Sequence, residues 1–133
     1  MSNIQALIVE DDSNNMAVLS ELLEGENAHC STIQDPRHIE QYMQDNTPPD
    51  VIFLDLEMPY IDGYEALDMF KANPTWQNVP VVACTVHVSE FHAARDKPFH
   101  SFIGKPLNAD QFTEHLKKIL SGERVWDISS GSF

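Results

Sequence analysis

Five short apolar runs punctuate the chain: Ile4–Val9, Ala28–Ile33, Val51–Leu54, Val79–Thr85 and Phe99–Ile103. Three are nearly continuous rather than alternating, the pattern of strands buried on both faces of a parallel sheet. Between them, apolar residues recur at helical spacing. Met16, Leu19, Leu22 and Leu23 share one face after a cap at Ser13. Ile39, Tyr42 and Met43 follow Asp35-Pro36, a cap with proline at the first helical position. Tyr64, Leu67, Asp68 and Phe70 predict a third helix that stops before Asn73-Pro74. In the last helix Asn108 and Gln111 have capping-box spacing, and Phe112, Leu116, Ile119 and Leu120 form the stripe, which ends near Ser121-Gly122.

Strict alternation of strand and helix predicts an α/β doubly wound five-stranded parallel sheet with helices on both faces. Ligands of such sheets bind beyond the carboxyl ends of the strands, near the switch point. The 133 residues, 42% of them hydrophobic, suffice for one core. The longest apolar runs, six or seven residues, fall far short of the ~20 that span a bilayer. The N-terminus has no basic region and no cleavage site, so no secretory signal is read. Residues 1–122 are taken as one domain and 123–133 as a C-terminal tail, whose Val125, Trp126 and Ile128 can dock on the core. Cys30 and Cys84 lie in apolar segments without metal-ligand spacing and read as reduced core residues of a cytoplasmic protein.

Charge is unevenly placed. Residues 1–66 hold 14 acidic side chains and one basic one, Arg37, a balance of −13; residues 67–133 hold 7 of each. Such a surface repels phosphate backbones, which argues against direct nucleic-acid binding. It favours a cation site or a basic partner, with most of the acids simply solvated.

The strand ends carry the chemistry. The first strand runs into Glu10-Asp11-Asp12, the third into Asp55, the fourth ends at Thr85, and the fifth leads into Lys105-Pro106. The predicted architecture brings these ends to one edge. Two carboxylates about 4 Å apart repel by about 4 kcal/mol at an effective dielectric of about 20, so a cation is needed. Oxygen ligands without clustered His or Cys suit Mg²⁺. A carboxylate nucleophile, a metal, a lysine and a hydroxyl together make a site for an aspartyl phosphate. Asp12 reads as a cap of the first helix rather than a ligand, and the six histidines as solvated or structural.

Four segments, Ala-Leu-Ile-Val-Glu-Asp-Asp-Ser-Asn-Asn, Val-Ile-Phe-Leu-Asp-Leu-Glu-Met-Pro-Tyr-Ile-Asp-Gly-Tyr-Glu-Ala, Val-Pro-Val-Val-Ala-Cys-Thr and Phe-Ile-Gly-Lys-Pro-Leu, appear in this order. With them the chain resembles the receiver domain of two-component response regulators, over about residues 4–121. The resemblance implies a flavodoxin-like receiver fold and a stand-alone switch rather than an enzyme. Asp55 is then the phosphoacceptor, supplied by a histidine kinase or a phosphotransfer protein. Glu10, Asp11, Asp55 and the backbone carbonyl of Glu57 would hold Mg²⁺, Asp11 more directly and Glu10 through water. Thr85 and Lys105 would bind phosphoryl oxygens, and Phe102 takes the aromatic switch position. Glu57 and His87 would flank the path of the water that removes the phosphoryl group, with Val86 adding bulk beside them. Pro106 is expected to follow a cis peptide bond, and Gly63 to supply a turn at positive φ. The other implied partners are an unidentified downstream protein and a second copy of the chain in a homodimer, with neither nucleic acid nor membrane bound directly.

Only 19 residues separate Thr85 from Lys105, and Arg95-Asp96-Lys97-Pro98 precedes the fifth strand. This predicts a short or irregular fourth helix and an altered output surface. Three other functions compete. An aspartyl-phosphate phosphohydrolase could use Glu57, two residues after Asp55, as its general acid, yet no cap domain accompanies it. A degenerate receiver acting as a plain binding module would have lost site residues that are all present here. A flavodoxin-like cofactor binder would need a phosphate loop where Glu10-Asp11-Asp12 puts negative charge.

Overall fold

The computed structural model describes residues 3–86 and 88–127. Strands β1 (Ile4–Val9), β2 (Ala28–Ile33), β3 (Val51–Leu54), β4 (Val81–Thr85), β5 (Ser101–Gly104) and β6 (Trp126–Asp127) form one sheet in the order β2-β1-β3-β4-β5-β6. All five pairings are parallel. The helices are α1 (Ser13–Glu24), α2 (Ile39–Asp45), α3 (Gly63–Ala72), α4 (Phe91–Arg95) and α5 (Ala109–Leu120), with 3₁₀ turns at Pro36–His38 and Val88–Glu90.

Side chains alternate across the sheet, as the strand period requires. Leu7, Val9, Ile52, Leu54, Val81 and Ala83 pack on one face with Ile39, Leu67, Phe70 and Trp76. Ala6, Ile8, Val51, Phe53 and Val82 pack on the other with Leu19, Leu23, Phe112, Leu116 and Ile119. The runs in β1 and β3 are continuous because both faces are covered. Both cysteines are free, and complete burial pushes the Cys84 thiol up to about 12. Among the described residues no helix is long and apolar enough to cross a membrane.

The sheet has six strands, not the five expected. Beyond α5 the chain turns at Gly122, whose φ is +96°, and returns beside β5, so that Trp126 faces Phe102 and Asp127 faces Ile103. Val125 is buried, as its docking role requires, while Ile128 lies outside the described residues. β4 starts at Val81, later than the Val79 expected, because Pro80 has no N–H and contributes only its carbonyl, to the Ile52 N–H at 3.0 Å. β5 starts at Ser101 rather than Phe99, whose amide is spent on a turn to the Lys97 carbonyl at 2.8 Å.

Asp12 caps α1, as its reading as a cap rather than a ligand required, and Ser13 is instead the first helical residue: the Asp12 carboxylate accepts from the Asn14 and Asn15 amides at 2.8 and 3.0 Å. In α5 the buried stripe is Phe112, His115, Leu116 and Ile119, while Leu120 is 37% exposed. α4 is a single short turn of helix of five residues, as its spacing predicted.

Candidate functional site

Each carboxylate is set where its strand stops. Leaving β1, Glu10 is anchored by its amide on the Ile33 carbonyl at 3.1 Å; leaving β3, Asp55 is anchored by its amide on the Val9 carbonyl, also at 3.1 Å. Neighbouring strands thus deliver Glu10, Asp11 and Asp55 together, with one carboxylate oxygen from each lying within 4.8 Å of the others. Lys105 arrives from β5, its amide on the Thr85 carbonyl at 2.8 Å and its peptide to Pro106 cis, as expected.

Glu10 is only 4% exposed, and Lys105 only 8%. The Lys105 ammonium donates to Glu10 Oε1, while Glu10 Oε2 accepts from the Asp12 amide at 3.2 Å. Burial, followed by contact with the Asp55 carboxylate, raises the Glu10 pKa against the opposing pull of Lys105. Burial and the nearby Glu10 charge also raise Asp11. Desolvation works against the Lys105 charge, but the Glu10 and Asp55 carboxylates beside it outweigh that and hold the ammonium charged. Lys105 therefore balances one of three converging carboxylates. Excess negative charge on an all-oxygen donor set is what a hard divalent cation such as Mg²⁺ fits.

The sequence-predicted residues fall as follows. Thr85 is fully buried at the end of β4, opposite Gly104 of β5. Glu57 is exposed just beyond Asp55. Val86 is 55% exposed and lines, with Lys105, Pro106 and Val18, a recess of about 200 Å³. Phe102 is fully buried. His87 lies outside the described residues.

Gly63 is needed for a different reason from the one anticipated. Its φ is not positive; Gly122 is the positive-φ glycine among the described residues. It opens α3 after the cap Asp62, whose carboxylate accepts from the Glu65 amide at 2.9 Å. There it lies so close to the preceding loop that a Cβ would meet Asp55 O and Leu56 Cα at 2.6 Å. Its amide donates to the Leu56 carbonyl at 2.9 Å, so the glycine lets α3 pack directly on the backbone that carries Asp55.

Two contacts beside the site left no periodic signal. The Tyr64 hydroxyl donates to Glu90 Oε1 at 2.8 Å, tying the first turn of α3 to the segment before α4. Trp126 stacks on Phe102 with centroids 6.0 Å apart.

A family model described as the response regulator receiver domain matches residues 6–117, and the chain belongs to this family. It is 30% identical over 112 residues to stress response regulator protein 1 of Meyerozyma guilliermondii, a match covering 81% of this chain and 51% of that protein. It is 26% identical over 117 residues to the polar-differentiation response regulator DivK of Brucella anthropi, covering 86% of this chain and 94% of DivK. The chain spans between 19% and 51% of the length of the first curated relatives it matches. Among solved structures, the receiver domain of the sensor histidine kinase PA1611 of Pseudomonas aeruginosa PAO1 has the same fold. The two share a TM-score of 0.80 at 20% identity, over 90% of this chain and 99% of that one. That structure has a magnesium ion coordinated in its active site cleft.

Proposed function

We propose that this chain is a phosphorylation switch in which Asp55 accepts a phosphoryl group from a phosphohistidine of a kinase or phosphotransfer protein. The observation that carries this reading is the meeting of Glu10, Asp11 and Asp55 within 4.8 Å beside the Lys105 ammonium. An Asp55 carboxylate oxygen forms the new P–O bond as the P–N bond to the donor imidazole breaks, and the imidazole leaves with a proton from solvent. Glu10, Asp11, Asp55 and the Glu57 carbonyl are the residues that would hold Mg²⁺. When bound, the cation offsets the repulsion between the nucleophile and the incoming phosphoryl oxygens. Thr85 donates its hydroxyl to one phosphoryl oxygen, and Lys105 leaves Glu10 to pair with another.

Transferring the phosphoryl group changes charge and hydrogen bonding at one sheet edge, and Phe102 on β5 carries that change toward the output surface. Glu57 and His87 set the lifetime of the phosphoryl group by controlling the approach of water. In this reading residues 1–122 are the receiver and 123–133 its tail, the protein works in the cytoplasm, and output passes to a protein partner or a second copy. The phosphohydrolase reading gains nothing from the site, because Glu57 is exposed and the cleft of about 550 Å³ that it lines with Asp62, Tyr64 and Glu90 offers acids and no cation to a phosphate ester.

The test is to mix the chain with Mg²⁺ and acetyl phosphate and measure intact mass. The wild type gains one phosphoryl group and Asp55→Asn gains none. Equal uptake by Asp55→Asn would refute the assignment.

A further inference from the structure

The side chain at the aromatic position of β5 is held by the tail. β6 is only two residues long, shorter than any strand that stands without support. What fastens it is concentrated on one side chain. The Trp126 ring stacks on Phe102 at 6.0 Å with planes 14° apart. Phe91 of α4 meets both rings edge-on, at 5.4 Å from Phe102 and 5.7 Å from Trp126. The Arg95 guanidinium lies 5.4 and 5.5 Å from the Phe91 and Trp126 rings. The Phe102 amide donates to the Val125 carbonyl at 2.8 Å, and the Val125 amide to the buried Ser101 hydroxyl at 2.9 Å. His115 Nε2 is 3.0 Å from Asp127 Oδ2.

The same strand reaches the acidic site. Phe102 and Lys105 are three residues apart at the end of a four-residue strand, and Lys105 is held by Glu10 through its side chain and by Thr85 through its backbone. A phosphoryl group on Asp55 competes with Glu10 for the Lys105 ammonium. Drawing that ammonium across the site pulls on Gly104 and Lys105, so β5 shifts against whatever is packed on its outer edge, namely β6.

We propose that Trp126 is a positioning residue that acts through Phe102: docked, it holds β5 in the resting arrangement, and phosphorylation loosens it. This rests on the phosphoacceptor reading above. Coupling between two such events is reciprocal. If a phosphoryl group loosens β6, then removing the Trp126 ring strengthens binding of a phosphoryl mimic by the same factor. A tryptophan that only covered apolar surface would give no such gain.

The experiment has two arms on the full chain. The first reads amide exchange at Phe102, which reports β6 pairing directly, with and without Mg²⁺ and beryllofluoride, a tetrahedral stand-in for a phosphoryl group. Intact mass after acetyl phosphate is measured in parallel. The expected result is exchange accelerated about tenfold or more in the wild type and unchanged in Asp55→Asn. The second arm titrates beryllofluoride against Trp126→Ala, or Trp126→Phe should the alanine variant fail to fold. Tighter binding than in the wild type is expected, by a factor matching the acceleration. Phosphoryl uptake with unchanged Phe102 exchange, or unchanged beryllofluoride affinity in the folded variant, would overturn the role of Trp126 and leave the phosphoacceptor reading standing. Absence of uptake would overturn both.

Discussion

The Lys105 ammonium donates to the carboxylate of Glu10, and both side chains are almost wholly withdrawn from water. The pair joins the first strand of the sheet to the fifth across the mouth of the site. Glu10 thus stabilises the lysine charge, and in the proposed switch the release of Lys105 from Glu10 is one of the costs.

Removing Lys105 leaves three carboxylates facing one another. Breaking a buried pair from one side costs about 3–5 kcal/mol. Lys105→Met is therefore expected to lower the melting temperature strongly in metal-free buffer. Added Mg²⁺ should recover part of the loss, which thermal unfolding with and without the ion will read. A variant as stable as the wild type in metal-free buffer would contradict the pairing.

Magnesium should stabilise the wild type, because a cation relieves the repulsion among Glu10, Asp11 and Asp55. If only the folded chain binds, the gain at 100 times the dissociation constant is about 2.7 kcal/mol. Asp11→Ala should abolish most of this response. A melting curve indifferent to Mg²⁺ in the wild type would count against the cluster as a cation site.

Gly63→Ala forces a methyl group against the backbone of Asp55 and Leu56, where the added atom would sit 2.6 Å from two backbone atoms. Overpacking of this kind costs about 1–3 kcal/mol. The displaced loop carries Asp55, the proposed phosphoacceptor, so phosphoryl uptake from acetyl phosphate should slow as well. Denaturant unfolding and a time course of uptake measure the two effects separately.

Asp35 gives the pH dependence. The Arg37 guanidinium and the Arg37 amide hold its carboxyl down at about 2. The ionised form is favoured in the folded chain, so its contribution is present above the unfolded value of 3.8 and is lost as pH falls toward 2. Asp35→Asn should lower the melting temperature slightly at neutral pH. The difference from wild type should close on acidification through that window. A gap that persisted at the acid end would show that the carboxylate charge is not its source.

Much of this was legible in the chain because burial on both faces leaves a simple mark. β1 and β3 begin and end where their apolar runs do; the edge strand β2 matches its run too, although only Ala28 and Ile33 at its ends are buried. The convergence of Glu10, Asp11 and Asp55 followed from the topology those runs imply. Other features were hidden for identifiable reasons. Ser101 opens β5 although it is polar, because its buried hydroxyl serves Val125 and His100. Phe99 is apolar and buried yet lies outside the strand, since burial does not require ladder pairing. Leu120 continues the stripe of α5 in sequence but is the last residue of the helix and is 37% exposed, beyond the reach of the core. β6 has too few residues for any period, so only the bulk of Val125 and Trp126 hinted at docking. The choice of Glu10 as the partner of Lys105 has no sequence signal, because the topology brings three carboxylates to the lysine without selecting among them.

The most direct test of the central claim is to trap the phosphorylated residue itself. Borohydride reduces an aspartyl phosphate to homoserine, so the wild type, treated with Mg²⁺ and acetyl phosphate and then with borohydride, should yield a peptide carrying homoserine at position 55 alone. Reduction at another carboxylate, or an unmodified Asp55 in protein that has taken up phosphoryl groups, would contradict the account.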